Sequence, residues 1–109
     1  MSFETDWNTL AASIHANAKA KGFWEGERND AEAIALIHSE LSEGLEALRA
    51  GNPASDKIPE FSNLEEEFAD VVIRIMDFAA GRDLDVAGAL IAKMGYNTTR
   101  AYKHGGKKF

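Results

Sequence analysis

The sequence predicts an all-α fold, an antiparallel four-helix bundle of one domain over residues 1–109, and three observations carry that prediction. Apolar residues recur at helical spacing along most of the chain. Good N-cap residues open the apolar-periodic segments, and Gly, or a stretch holding both prolines, closes them. β-branched residues cluster only in Val71-Val72-Ile73-Arg74-Ile75, which itself lies inside a helix-period pattern.

The first helix is expected from about Thr5 to Lys21, stopped by Gly22. A second opens at Asn29 or Asp30, with Glu32 placed for a capping box, and runs to about Ala50 before Gly51. Pro53 and Pro59 both fall between residues 51 and 63, which marks the long loop. The third helix opens at Ser62, with Glu65 as its capping-box partner, and stops near Gly81. The fourth starts at Asp83 or Asp85 and continues to about Tyr102, leaving residues 102–109 as a flexible or partner-ordered tail.

Composition bounds what such a bundle does. The chain has no cysteine, which removes disulfides, zinc–thiolate sites and thiol nucleophiles together and suits a reducing cytoplasm. No apolar run reaches the roughly 18 residues of a membrane span, and the acidic N-terminus does not read as a signal peptide, so a cytoplasmic protein with no membrane partner is expected. The net charge of −6 is uneven: from Val86 to Phe109 there is no acid, while Lys93, Arg100, Lys103, Lys107 and Lys108 give +5, leaving −11 on the rest. An acidic body argues against nucleic acid as partner, whereas a compact basic end suits a small polyanion. A solvated basic tail is the plainer reading of the same charges.

Placing the second helix on a wheel at about 100° per residue gives a stripe of Ile34, Ile37, Leu41, Leu45 and Leu48, the expected core face. Glu40 and Glu43 lie beside it, among Ala33, Leu36, Gly44 and Ala47. On the third helix, Glu67 and Asp70 edge a broad arc of Leu64, Phe68, Val71, Val72, Ile75, Phe78 and Ala79, extended by Ile73 and Met76. Two i, i+3 acid pairs on facing helices bring four carboxylates together, and their repulsion is relieved by a hard divalent cation. One such pair alone is commonly surface decoration, so spacing leaves both readings open. A di-iron bundle is disfavoured, because Glu-x-x-His pairs are needed and His15, His38 and His104 each follow an Ala at that spacing.

Lys93, Asn97, Arg100 and His104 fall on one stripe of the fourth helix, suited to phosphate or sugar, although basic residues near a helix C-terminus also complement its dipole. No P-loop motif is present. Metal-activated water acting on a phosphoanhydride is the chemistry these parts suit.

The run Glu40-Leu-Ser-Glu43, a 23-residue interval and then Glu67-Phe-Ala-Asp70 resembles the signature of MazG-like nucleoside triphosphate pyrophosphohydrolases, and Lys93, Asn97 and Arg100 resemble the stretch that follows it. The resemblance implies that Glu40, Glu43, Glu67 and Asp70 hold Mg²⁺, with Mn²⁺ as a substitute, and that one carboxylate orients the attacking water. It implies hydrolysis of a nucleoside triphosphate, a dNTP by preference, to the monophosphate and pyrophosphate. Lys93, Asn97 and Arg100 then contact phosphates or sugar, and the chain assembles as a homodimer or homotetramer. Phosphoribosyl-ATP as substrate, or a non-catalytic helical oligomerisation module, are the alternatives. In the turn Gly22-Phe23-Trp24-Glu25-Gly26, Trp24 either stacks on a base or plugs the bundle end, and His15 either reads a base edge or packs in the core.

Overall fold

A computed structural model describes residues 2–100. The described chain is all-helical: α1 (Phe3–Ala20), α2 (Asp30–Arg49), α3 (Asn63–Gly81) and α4 (Val86–Asn97), with no strand beyond an isolated bridge between Ala54 and Ser62. None of these helices is long and apolar enough to cross a membrane.

The helix ends follow their capping chemistry. Ser62 accepts from the Glu65 amide while the Glu65 carboxylate accepts from the Ser62 amide, completing the box that opens α3. At α2 only the Asn29 half forms, its side chain accepting from the Glu32 amide. α1 begins two residues earlier than expected because Ser2 caps it, accepting from the Thr5 amide. α4 ends at Asn97, short of Tyr102. Thr98 and Thr99 turn their hydroxyls onto the Gly95 and Tyr96 carbonyls at 2.7 Å, a local alternative to further helix. Arg100 therefore lies beyond the helix, and both His104 and the expected 102–109 tail lie outside the described residues.

α3 is the central element. It packs against both α1 and α2, while α4 rests chiefly on α1. The face α2 turns inward differs from the one its large apolar residues predicted. Ala33, Gly44 and Ala47 are its buried residues, whereas Ile34 (49% exposed), Leu41, Leu45 and Leu48 (54%) stand open to solvent. Small residues win this face because they let two helices approach closely. A Cβ on Gly44 would lie 3.2 Å from Leu64 Cδ1 and 3.7 Å from both Glu67 Cβ and Phe68 Cε1. The arc on α3 is likewise buried only in part: Met76 and Ala79 are inside, Phe68, Val72 and Ile73 are exposed.

Candidate functional site

The close α2–α3 crossing decides which acids meet. Glu40 shares the inward face of α2 with Ala33, Gly44 and Ala47 and is half-buried, as are Glu67 and Asp70 on α3. Oxygens of these three carboxylates lie within 4.8 Å of one another. Glu43 is exposed and stands outside this cluster, lining a neighbouring cavity of about 390 Å³ together with Glu66 and Glu67. Three of the four expected carboxylates thus converge and the fourth sits alongside.

The cluster is electrostatically unhappy. Burial, followed by the negative charge of Glu40 and Asp70, pushes the Glu67 carboxyl up to about 7. Asp70 is also raised, first by burial and then by Glu40. The nearest counter-charge among the described residues is Arg74, one turn beyond Asp70, whose Nε donates to Glu40 Oε1 at 3.1 Å while its Nη2 lies within ion-pair reach of the same oxygen, also at 3.1 Å. A set of three carboxylate oxygens backed by one guanidinium has the donor chemistry that Mg²⁺ or Mn²⁺ prefers.

Glu40, Asp70 and Arg74 form part of the wall of a cavity of about 550 Å³, within the range of small-molecule sites. Phe23, Arg28 and Asp77 line it too. Phe23 is 66% exposed, so it is the open aromatic of the α1–α2 turn. Trp24, the expected stacking residue, is half-buried and held on several sides. Its Nε1 donates to Asp77 Oδ1 at 2.8 Å, and the Arg28 and Arg82 guanidinium carbons lie 4.6 and 5.2 Å from its ring centre. Gly81 gives the indole room, since a Cβ there would fall 2.3 Å from Trp24 Cη2. The plug is the role this packing fits.

His15 is half-buried, its ring edge-on to Trp24 and its Nδ1 2.8 Å from the same Asp77 oxygen. Lys93, Asn97 and Arg100 are exposed and line neither cavity; the Lys93 ammonium lies 4.6 Å from the Tyr96 ring centre. Among the described residues, Lys93, Asn97 and Arg100 are therefore not brought to the acids within one chain. The cations that do line the large cavity are Arg28, Lys57 and Arg74. Sequence reasoning missed all three, and Asp77 with them. The available signal was the i, i+4 spacing from Asp70 to Arg74, which puts a cation on the acid face of α3. No protein-family model matches the chain, and the comparisons with curated proteins and solved structures yield no match.

Proposed function

We propose that the chain is a divalent-cation-dependent hydrolase that cleaves nucleoside triphosphates, by preference dNTPs, to the monophosphate and pyrophosphate. The observation that carries the reading is the convergence of Glu40, Glu67 and Asp70 from two helices to within 4.8 Å. Its support in sequence is the MazG-like pattern of acids, of which these three are members.

On this reading Glu40, Glu67 and Asp70 hold Mg²⁺. When bound, the cation neutralises phosphate charge and makes water more acidic. Glu43, outside the triad and exposed beside Glu67, orients the attacking water and takes its proton. Phe23, at the other part of the wall, offers an exposed ring face to a base, and the clamped Trp24–His15–Asp77 cluster gives that wall its shape. Incubation with a panel of NTPs and dNTPs, with and without Mg²⁺, tests the reaction directly. Monophosphate and pyrophosphate formed only with metal is the expected result. Diphosphate with orthophosphate would sink the reaction type, and inert folded protein would favour phosphoribosyl-ATP or a non-catalytic module.

The same reading includes self-assembly. Ile34, Leu41, Leu45 and Leu48 form one half-exposed stripe on α2, and covering what remains open of each is worth about 1 kcal/mol. A second copy covering the stripe gives the homodimer or homotetramer its interface and offers Lys93 and Asn97 of its α4, with Arg100 beyond it, to the acids of its neighbour. The double variant Leu45→Glu, Leu48→Glu is expected to weaken association at least about 100-fold, since it loses burial and adds charge. Sedimentation velocity reads this as a shift to monomer, and unchanged assembly would remove the stripe from the interface.

A further inference from the structure

The large cavity places three cations beside its carboxylates, and their bonding separates them by role. Arg28 is committed to the fold: its Nη1 donates to the Phe23 carbonyl at 2.9 Å, its guanidinium covers Trp24, and it faces Asp77 Oδ2 at 4.0 Å. Arg74 donates through Nε to Glu40 Oε1 and holds Nη2 in ion-pair contact with the same oxygen. Its Nη1 donates to no protein acceptor among the described residues, so one side of the fork remains for a ligand.

Lys57 shows the opposite distribution, a fixed backbone and an exposed side chain. Ser55, 2% exposed, donates through Oγ to Glu66 Oε1 and accepts from the Lys57 and Ile58 amides at 3.2 and 3.1 Å. The Ser55 amide donates to the Phe61 carbonyl across the loop, while Asn52 Oδ1 accepts from the Leu64 amide and the Pro53 carbonyl from the Asn63 amide, so the start of the 51–62 loop is tied to the start of α3. The Lys57 side chain is 85% exposed, with its ammonium only loosely placed, 4.0 Å from Glu66 Oε2. It lines the large cavity and the smaller acidic one together. A buried hydroxyl thus anchors the loop at the point where an exposed cation borders both cavities lined by the acids.

We propose that Arg74 and Lys57, from the same chain as the carboxylates, grip the phosphates of a metal-bound polyphosphate ester. This rests on the metal-dependent hydrolase reading. Three carboxylates and one divalent ion leave a net negative centre, so a triphosphate is repelled from it without added cations. A forked guanidinium fixed by Glu40 holds one phosphate in register, and a flexible ammonium follows the departing pyrophosphate. Ser55 acts at one remove, as the positioning residue for Lys57.

The test is calorimetric binding of a non-hydrolysable α,β-methylene dNTP in Mg²⁺, beside titration of Mg²⁺ alone, for wild type, Lys57→Ala, Lys57→Arg, Arg74→Lys and, for the rival cation, Arg100→Ala. Lys57→Ala and Arg74→Lys are each expected to weaken analogue binding about tenfold while Mg²⁺ affinity stays within about threefold. Lys57→Arg is expected to restore most of the loss, which a merely structural role for Lys57 would not predict. If wild type binds the analogue and both variants match it within twofold, the grip is overturned and the hydrolase reading stands. The grip is equally overturned if only Arg100→Ala loses binding. Wild type that binds Mg²⁺ but no analogue at millimolar concentration overturns the hydrolase reading, and the grip with it.

Discussion

Glu67→Gln is expected to make the metal-free protein more stable at pH 8 than wild type, and at the same time to abolish both its response to Mg²⁺ and its turnover. The three effects share one cause. In wild type, burial and the charges of Glu40 and Asp70 raise Glu67 to about 7 from an ordinary 4.5. A carboxyl raised in the folded state binds its proton more tightly there than in the unfolded chain. Its contribution to stability is therefore full below about pH 4.5 and lost as pH rises through about 7. Asp70 is raised as well and works in the same direction. Gln does not ionise, so the variant keeps at pH 8 what wild type retains only in acid.

Mg²⁺ reverses the order. Binding to the folded state alone, at 100 times its dissociation constant, adds about 2.7 kcal/mol, or roughly 10–20 °C in Tm for a domain of this size. Wild type is expected to show that rise at pH 8 and Glu67→Gln to show little of it. Turnover is expected to fall by about 10³ or more, the loss of roughly 4 kcal/mol of charge stabilisation. Thermal melts at pH 5 and 8, with and without Mg²⁺, give the stability arm, and single-turnover product analysis gives the other. Retention of the Mg²⁺ response by Glu67→Gln would remove Glu67 from the metal site.

How much of this was legible in residues divides along a physical line. Local capping rules located α2 and α3, because Asn29, Ser62 and Glu65 act within one turn of themselves. The ends of α1 and α4 were missed for an equally local reason: Ser2 and the Thr98–Thr99 pair were not weighed as capping and competing side chains. The inward face of α2 was misjudged, since a wheel ranks positions by hydrophobicity while the packing of α3 is decided by how closely backbones approach. Gly44 and Ala47 win over Leu41 and Leu45 on that criterion. The error did not hide the acids, because Glu40 was already recognised among the small residues. What periodicity cannot give is the partner at long range. Arg74 meets Glu40 across 34 residues, and Asp77 meets His15 across 62.

Asp77→Ala is expected to destabilise the protein by about 3–5 kcal/mol, the largest stability loss of any single change considered. Asp77 is buried at 7% exposure, and its Oδ1 accepts from both His15 Nδ1 and Trp24 Nε1 at 2.8 Å. Truncation leaves the indole N–H unpaired in a half-buried site, at about 1–3 kcal/mol, removes the partner of His15 and takes the carboxylate away from Arg28. Trp24 stays held by Arg28 and Arg82 over its ring, with Gly81 close against it. A fall in Tm of about 12 °C or more, with a red shift in tryptophan emission, is the expected result, whereas Asp77→Asn keeps an acceptor oxygen and is expected to lose less than half as much. A Tm within 3 °C of wild type for Asp77→Ala would show that the cluster does not hold the turn. Two carboxylates on one helix, ten residues apart, are thus expected to answer removal of charge with opposite signs. Glu67 is surrounded by other acids, so its charge costs stability until a cation arrives. Asp77 is surrounded by N–H donors and a guanidinium, so its acceptor oxygen keeps Trp24 and His15 in place and its charge adds to that hold.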